Sequence, residues 1–181
     1  IDDFLAEGGG DFAYDFARIF PVKVFFNLMG FPHAQLEPFL AWENEILHSR
    51  AFARMGAAVH EVLAWLRAFI KEKEAAPDDS LTSKIVNGAV EGEKLTDDEK
   101  IGTIFFLWLG GLDTVASTLG QMFRRLALYP DLQQRLRDNP QLITSAIEEF
   151  LRMQPLVNNM RQLKKDVTIH GVEMKTGDWC M

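Results

Sequence analysis

Cysteine is nearly absent from this sequence. Among its 181 residues there is one, Cys180, so no internal disulfide can form. A chain without disulfides fits a reducing compartment, and we expect a cytoplasmic protein. The sequence also lacks a signal peptide and any run of roughly 18 apolar residues, and we therefore expect no membrane segment in this chain.

Motifs for metal and phosphate binding are lacking as well. The four histidines are scattered and neither HExxH nor CxxC occurs, so we predict no metal site built from protein side chains. There is no phosphate loop, nucleophile elbow or dinucleotide fingerprint. Basic charge is in deficit, since 19 basic against 26 acidic side chains give a net charge of −7. This balance argues against nucleic acid as a partner.

What the sequence does contain is a globular composition with strong helical patterning. Hydrophobic residues make up 48% and charged residues 25%, and the length suits one domain. Apolar residues recur at helical spacing until about Pro155. The pattern then changes to that of a β-hairpin over 167–174, with its turn at His170 and Gly171. We predict a mainly α fold with a small terminal β-hairpin.

One predicted helix is unusually long. Residues 96–99 form a capping-box pattern and no proline follows until Pro130, so the helix is expected over about 97–129. Helices in globular proteins average about 12 residues. Residues 104–109 are apolar on every face, which predicts a helix through the centre of the fold. Three aromatic residues of this stretch are predicted to lie in the core and not in a ligand site, unless the glycines beside them line a cavity: Phe105, Phe106 and Trp108.

The centre of this helix reads Gly110-Gly111-Leu112-Asp113-Thr114. Two adjacent glycines cost roughly 2 kcal/mol of helix propensity against alanine, which suggests that something approaches the backbone closely there. The Thr114 hydroxyl can donate to the carbonyl four residues earlier, and this bends or widens a helix. Asp113 in apolar surroundings would suit a proton relay. On these residues alone, a helix–helix crossing with a satisfied polar pair is the favoured alternative.

Two further groups of charged residues carry weaker signals. Glu149 and Arg152 share one helix face and can pair, although such pairs usually lie on a solvated surface. Their apolar neighbours predict partial burial of the pair. Arg161 ends an extended segment and could clamp a carboxylate, but an exposed arginine at the end of a loop is the favoured alternative.

Together these motifs resemble those of the cytochrome P450 family, the haem-thiolate monooxygenases. Residues 110–114 are similar to the family's [AG]GxDT motif on its long central helix, and residues 149–155 are similar to ExxRxxP. The strand pattern that follows in the family is matched by Asp166, Ile169, Gly171, Val172 and Gly177. Weaker similarity covers nearly the whole chain. Residues 85–115 look most like bacterial camphor hydroxylase.

The resemblance implies a role for the residues of the central motif. Gly110 and Gly111 would let haem and dioxygen lie against the helix. Asp113 and Thr114 would be catalytic and would deliver protons for cleavage of the oxygen–oxygen bond.

Other matched residues would bind, shape or support the site. Glu149 and Arg152 would be structural. Arg161 would bind a haem propionate, with Asn159 as a second contact. Three apolar residues would face a small hydrophobic substrate: Phe106, Leu109 and Val157.

The resemblance is incomplete at the haem ligand. The family's axial cysteine lies in a Phe-x-x-Gly-x-x-x-Cys loop well beyond ExxR, and the 181 − 152 = 29 residues after Arg152 contain no such loop. Cys180 falls where the family has a β-strand, so we do not assign it as the ligand. We expect residues 1–181 to be the central part of a single cytochrome P450 domain, without the N-terminal region and the haem-cysteine loop.

Two functions are therefore considered. The first is a fragment of a bacterial haem-dependent monooxygenase that hydroxylates a small hydrophobic substrate with dioxygen and two electrons from a ferredoxin-type donor. The fragment alone is expected to be inactive, because the chemistry needs the thiolate. The alternative is a non-catalytic helical interaction module from a truncated gene product.

Overall fold

The computed structural model describes residues 2–157 and 159–181 and is mainly helical. Its α-helices are α1 (Asp2–Ala6), α2 (Ile19–Met29), α3 (Leu36–His48), α4 (Phe52–Ala75), α5 (Leu81–Asn87), α6 (Asp97–Gly111), α7 (Asp113–Leu128), α8 (Pro130–Asp138) and α9 (Ile143–Met153). A π-helical segment, Phe12–Ala17, precedes α2, and short 3-10 turns at His33–Gln35 and Pro140–Leu142 precede α3 and α9. The predicted mainly α fold is confirmed.

The strands form three antiparallel two-stranded ladders. They are β1 (Ala89–Val90) with β2 (Glu93–Lys94), β3 (Arg161–Gln162) with β6 (Trp179–Cys180), and β4 (Val167–Ile169) with β5 (Val172–Met174). The β4–β5 pair is the predicted terminal hairpin. Its turn residues His170 and Gly171 have φ of 49° and 80°, the left-handed conformation that two-residue hairpin turns require. The short β1–β2 hairpin is an element that the sequence analysis did not predict.

The chain divides into two compact units, Ile1–Gly120 and Gln121–Met181. In the first unit, helices α2 to α6, together with Leu112 directly after α6, enclose one apolar core. The buried members of this core are Val22, Phe25, Phe26, Met29, Phe31, Phe39, Leu40, Val62, Leu66, Phe69, Ile70, Val86, Ile104, Trp108 and Leu112. They recur at intervals of three or four residues along each helix, as the apolar pattern predicted.

Aromatic rings dominate the middle of this core, around Phe39 of α3. Its side chain is fully buried, and its ring centroid lies 4.8 to 5.4 Å from those of five other rings. Those rings belong to Phe26, Phe31, Trp42, Trp65 and Trp108. Three of the five contacts are edge-to-face, the arrangement that the ring quadrupoles favour.

The long central helix is confirmed as α6 and α7, with an interruption at Leu112. Ile104 and Trp108 of α6 are fully buried and pack toward the other helices of the first unit, whereas Phe106 is 74% exposed. The expectation that Phe106 lies in the core is therefore wrong, because α6 buries one face and turns Phe106 away from it. By length and composition alone, Asp97–Leu128 could cross a membrane. In this structure 17% of its most apolar stretch is buried.

Two residues that read as helix boundaries behave differently in the structure. Pro21 would break the interior of a helix, but it lies buried in the first turn of α2, where its missing N–H costs no helical hydrogen bond. Asn139 comes directly before Pro140, as a residue that caps the start of a helix often does. Its side-chain amide instead donates to the carbonyl of Arg135 at 3.1 Å, so Asn139 caps the end of α8.

The predicted capping box at the start of α6 is present. The Thr96 hydroxyl accepts from the backbone N–H of Glu99 at 3.3 Å, and the Glu99 carboxylate accepts from the backbone N–H of Thr96 at 2.8 Å. The hydrogen bonds from Thr96 lower the pKa of Glu99. The box therefore satisfies two backbone donors that the helix itself leaves free.

Removing this cap should weaken the first unit measurably. We expect Thr96→Ala to lower the free energy of unfolding by about 1 kcal/mol, because a backbone donor of α6 loses its side-chain acceptor. Urea denaturation followed by far-ultraviolet circular dichroism measures the change. Thr103→Ala, an exposed position within the same helix, is the control and should be neutral or slightly stabilising. Equal losses in the two variants would contradict a specific capping effect.

Candidate functional site

The interruption of the central helix is the most distinctive feature of the first unit. The backbone at Leu112 has φ −96° and ψ −73°, and α6 ends and α7 begins on its two sides. The Thr114 hydroxyl donates to the carbonyl oxygen of Gly110 at 2.5 Å. As predicted from the sequence, a side-chain hydroxyl thus donates to a backbone carbonyl of the helix. The regular helix is interrupted at the same place.

The two glycines of this motif lie in different surroundings. A Cβ atom on Gly111 would come within 3.2 Å of the Phe25 ring, so α2 approaches the helix backbone closely there. A Cβ atom on Gly110 would meet no described atom within 4 Å. Gly111 therefore serves packing between helices, and Gly110 leaves an open patch of backbone on the surface of the unit.

Three residues spaced four apart border this open patch. Phe106, Gly110 and Thr114 fall on one side of the helix, since a spacing of four nearly completes a turn. We call them the open strip. Phe106 is 74% exposed and Gly110 is exposed. The open strip therefore offers an apolar ring, bare backbone and a hydroxyl group side by side.

The other predicted substrate-facing residues differ in exposure. Leu109 is half-buried and packs against the core of the first unit. Val157, in the second unit, is 60% exposed. A substrate-facing role for Phe106, Leu109 and Val157 stays a prediction.

Glu43 of α3 is a residue of this region that sequence reasoning missed. Its Oε1 atom is excluded from solvent and has no hydrogen-bond partner among the described residues. Burial and the negative charge of Asp113 raise the pKa of Glu43 to about 7, against the charge of Arg18 and a hydrogen bond from the Asp113 backbone, which lower it. The sequence carried no signal for this proximity, because Glu43 reads as an ordinary polar position of an amphipathic helix.

Glu149 and Arg152 form the predicted pair on α9 of the second unit. The Arg152 Nε and Nη2 atoms donate to the two carboxylate oxygens of Glu149, each at 2.7 Å. This pairing lowers the pKa of Glu149 and raises that of Arg152. Both side chains are more than half exposed, so the prediction that the pair is partly buried is wrong in this chain. Of the apolar residues that flank the pair, Phe150 is buried, whereas Leu151 and Met153 are exposed. Screening by water limits such a pair to less than about 1 kcal/mol.

Arg161 and Cys180 lie opposite each other in the β3–β6 ladder. The exposed Arg161 guanidinium donates from Nη1 to the carbonyl of its neighbour Met160 at 2.9 Å, and no described acidic side chain forms an ion pair with it. Asn159 is exposed nearby in sequence. Cys180 is half-buried, and its Sγ atom contacts the Met174 Sδ atom at 3.5 Å. This strand position agrees with leaving Cys180 unassigned as a metal ligand.

Comparison with known proteins decides the family. The family model described as Cytochrome P450 matches residues 22–181, which is most of the chain. The chain belongs to the cytochrome P450 family. The resemblance found in the three sequence motifs is therefore confirmed, and the long interrupted helix is the central helix of that fold.

Bacterial cytochromes P450 are among the curated relatives. The chain is 31% identical over 169 residues to the probable cytochrome P450 127A1 of Sinorhizobium fredii. The alignment covers 93% of this chain and 41% of that protein. It is 29% identical over 178 residues to the vitamin D(3) 25-hydroxylase of Pseudonocardia autotrophica. That alignment covers 97% of this chain and 44% of the hydroxylase. The chain spans about half the length of the curated relatives it matches. The closer likeness to camphor hydroxylase stays a prediction.

Solved structures of cytochromes P450 share this fold. The cytochrome P450 PksS of Bacillus subtilis superposes with a TM-score of 0.88 at 28% identity, covering 98% of this chain and 47% of that one. The LnmA cytochrome P450 hydroxylase of Streptomyces atroolivaceus gives a TM-score of 0.84 at 29% identity. The superposition covers 98% of this chain and 47% of that one. The match therefore extends through both units of the chain.

The P450 family implies haem as cofactor, and the chain's residues fit part of its requirements. The open strip leaves room against the backbone at Gly110, where a flat macrocycle needs a surface without a side chain. The exposed guanidinium of Arg161 has N–H donors suited to a carboxylate such as a propionate. Among the described residues, no cluster of His, Cys, Asp or Glu could hold a metal ion by itself.

Proposed function

We propose that this chain is the central part of a bacterial haem monooxygenase that hydroxylates a small hydrophobic substrate with dioxygen. The open strip is the observation that supports the proposal, because it combines bare backbone, an apolar ring and a hydroxyl on a P450 central helix. Relatives include a vitamin D(3) 25-hydroxylase and steroid C26-monooxygenases, whose names also indicate apolar substrates. The two electrons would come from a ferredoxin-type protein, and the enzyme would be cytoplasmic.

The residues of the proposed site would contribute separate functions to this reaction. Bound haem would supply the oxygen activation, and a cysteine thiolate other than Cys180 would be needed for that chemistry. Gly110 would let the cofactor approach the helix, and Arg161 with Asn159 would hold a propionate. Phe106, Leu109 and Val157 would make the apolar contacts that select the substrate.

Proton delivery would depend on Asp113 and Thr114. The Thr114 hydroxyl lies at a widened turn beside the open backbone, where it can contact a bound ligand and a proton donor. Asp113 follows the interruption directly and would pass protons toward Thr114. Glu149 and Arg152 would be structural and would hold the proximal core together.

The haem spectrum of two forms of the protein tests the proposed function. We expect the full-length protein, reduced and treated with carbon monoxide, to give the Soret band of thiolate-ligated haem. The 181-residue chain titrated with haemin should not give it, because its lone thiol lies in strand β6.

Two results would oppose this proposal in different ways. A full-length protein without the thiolate band would remove the monooxygenase function and favour the alternative of a helical interaction module. A thiolate band from the 181-residue chain would instead make Cys180 a haem ligand. Cys180→Ser in the chain, which keeps a similar size, is the control for that second result.

A further inference from the structure

We propose that the aromatic core of the first unit carries oxidising equivalents from Trp108 on the central helix to Trp42 near the protein surface. Trp108 gives up an electron to a strong one-electron oxidant, and Trp42 replaces that electron. This relay is a property of the chain itself. Its use, to protect the site from oxidising equivalents that do not reach a substrate, rests on the proposed function.

A continuous row of ring contacts joins the two tryptophans. The ring centroid of Trp108 lies 5.4 Å from that of Phe39, and the Phe39 centroid lies 5.0 Å from that of Trp42. The two indoles are therefore no further apart than the sum of these distances, with one aromatic ring between them. Because a phenyl ring is harder to oxidise than an indole, Phe39 separates the two carriers and is not itself oxidised.

Trp108 lies on the side of the central helix that faces the core. It is fully buried, whereas Phe106 and Gly110, two residues before and after it, are exposed on the open strip. An α-helix with its side chains is roughly 10 Å across, so an oxidant against the backbone at Gly110 lies about one helix diameter from the indole. Trp108 is therefore the core tryptophan at which an oxidising equivalent from the open strip enters.

The hydrogen bonds of the two indoles set the direction of transfer. The Nε1 atom of Trp108 is buried and has no hydrogen-bond partner among the described residues, so the oxidised indole cannot lose its N–H proton. The Trp42 Nε1 atom donates to the Oε2 atom of Glu61 at 2.8 Å. Loss of an electron makes an indole N–H strongly acidic, and Trp42 passes its proton to this carboxylate as it is oxidised. Transfer is favourable because it removes an unpaired positive charge from the apolar core.

Trp65 is a third indole in contact with Phe39, at a centroid distance of 4.8 Å. Its ring is stacked on that of Phe69, and its N–H forms no hydrogen bond with any residue that the structure describes. Without an acceptor for its proton, Trp65 retains a positive charge when it is oxidised. The oxidising equivalent therefore ends on Trp42.

The transfer balances in electrons and protons. The oxidant takes one electron from Trp108 and is itself reduced by one electron. An electron then moves from Trp42 to Trp108, which returns to its starting state. The N–H bond of Trp42 breaks, and an O–H bond forms on Glu61. A soluble one-electron reductant later returns an electron to Trp42, and Glu61 returns the proton.

The 181-residue chain allows a test that needs no haem. A ruthenium photo-oxidant attached through Phe106→Cys, in a chain that also carries Cys180→Ser, places a one-electron oxidant on the open strip. A light flash in the presence of an electron acceptor should produce the visible absorption of a neutral tryptophan radical. Trp108→Phe and Trp42→Phe should each lower the yield of this radical severalfold.

A change at the proton acceptor tests the direction of transfer. Glu61→Gln can still accept the hydrogen bond from Trp42 but not its proton, so the neutral radical should form severalfold more slowly. Glu72→Gln, an exposed position on the same helix, is the matched control and should leave the rate unchanged. Because Glu61 is also exposed, this comparison holds even where Trp108→Phe fails to fold.

Two results in the chain would overturn the relay. One is an equal radical yield in Trp108→Phe and in the chain with all its tryptophans. The other is an equal rate of radical formation in Glu61→Gln and Glu72→Gln.

The full-length protein then tests the protective use. Supplied with electrons and dioxygen but no substrate, Trp42→Phe should lose its haem absorbance severalfold faster than the natural protein, while its rate of substrate hydroxylation stays unchanged. Trp65→Phe is the control and should lose haem at the natural rate. Equal haem loss in Trp42→Phe and the natural protein would overturn the protective use. A protein without thiolate-ligated haem would instead overturn the proposed function and leave the radical measured in the chain as it stands.

Discussion

Replacing Phe39 by alanine is expected to lower the free energy of unfolding of the first unit by about 4 kcal/mol. The ring is fully buried and touches five other aromatic rings from α2, α3, α4 and α6 and the loop between α2 and α3. Its loss removes buried apolar surface and leaves a cavity that rigid neighbouring rings cannot collapse to fill. Four helix segments therefore lose a common contact at once.

Urea unfolding followed by tryptophan fluorescence measures this effect directly, because Trp42, Trp65 and Trp108 lie in or beside the core of the first unit. Phe52→Ala is the matched control, since that ring is 85% exposed at the start of α4 and should change stability by less than about 0.5 kcal/mol. A Phe39 variant no less stable than the Phe52 variant would contradict the assignment of the aromatic core.

The second large effect is expected at Thr114 in the full-length protein. Thr114→Ala should reduce the fraction of reducing equivalents that appears in hydroxylated product by about tenfold, because a positioned proton donor is lost. The remainder should leave as hydrogen peroxide. The fold should persist, since the hydrogen bond from Thr114 to Gly110 contributes only about 1 kcal/mol.

Two variants separate the chemistry of this hydroxyl from a change of helix shape. Thr114→Ser keeps the hydroxyl and should restore most of the coupling. Thr118→Ala removes a threonine one turn further along α7 and should leave coupling unchanged. Normal coupling in Thr114→Ala would show that Thr114 does not deliver protons.

Local chemistry explains what could be predicted from the sequence. The capping box at Thr96, the hydrogen bond from Thr114 to Gly110 and the turn at Gly171 each join residues at most four positions apart. The residue types in such short segments restrict the backbone to few conformations. The family motifs were found for the same reason, because each is a short pattern set by local geometry.

Long-range packing explains what could not be predicted. The β3–β6 pairing places Arg161 opposite Cys180. Each of these strands has only two residues, and nothing in such a short sequence indicates which other strand it pairs with. Which aromatic residue of α6 is exposed depends on where α2 and α4 pack, so Phe106 and Trp108 could not be told apart. The position of Glu43 beside Asp113 likewise depends on how α3 crosses the central helix.

The Thr114 hydroxyl carries a single proton, and in this structure that proton points to the Gly110 carbonyl. Only the oxygen lone pairs of Thr114 are then available to anything that approaches the open strip. A group that donates a hydrogen bond can pair with the Thr114 oxygen without disturbing this contact. A group that needs the hydrogen of Thr114 requires rotation about the Cβ–Oγ1 bond, which breaks the hydrogen bond to Gly110. As long as the hydrogen bond to Gly110 persists, Thr114 is an acceptor and not a donor toward the open strip.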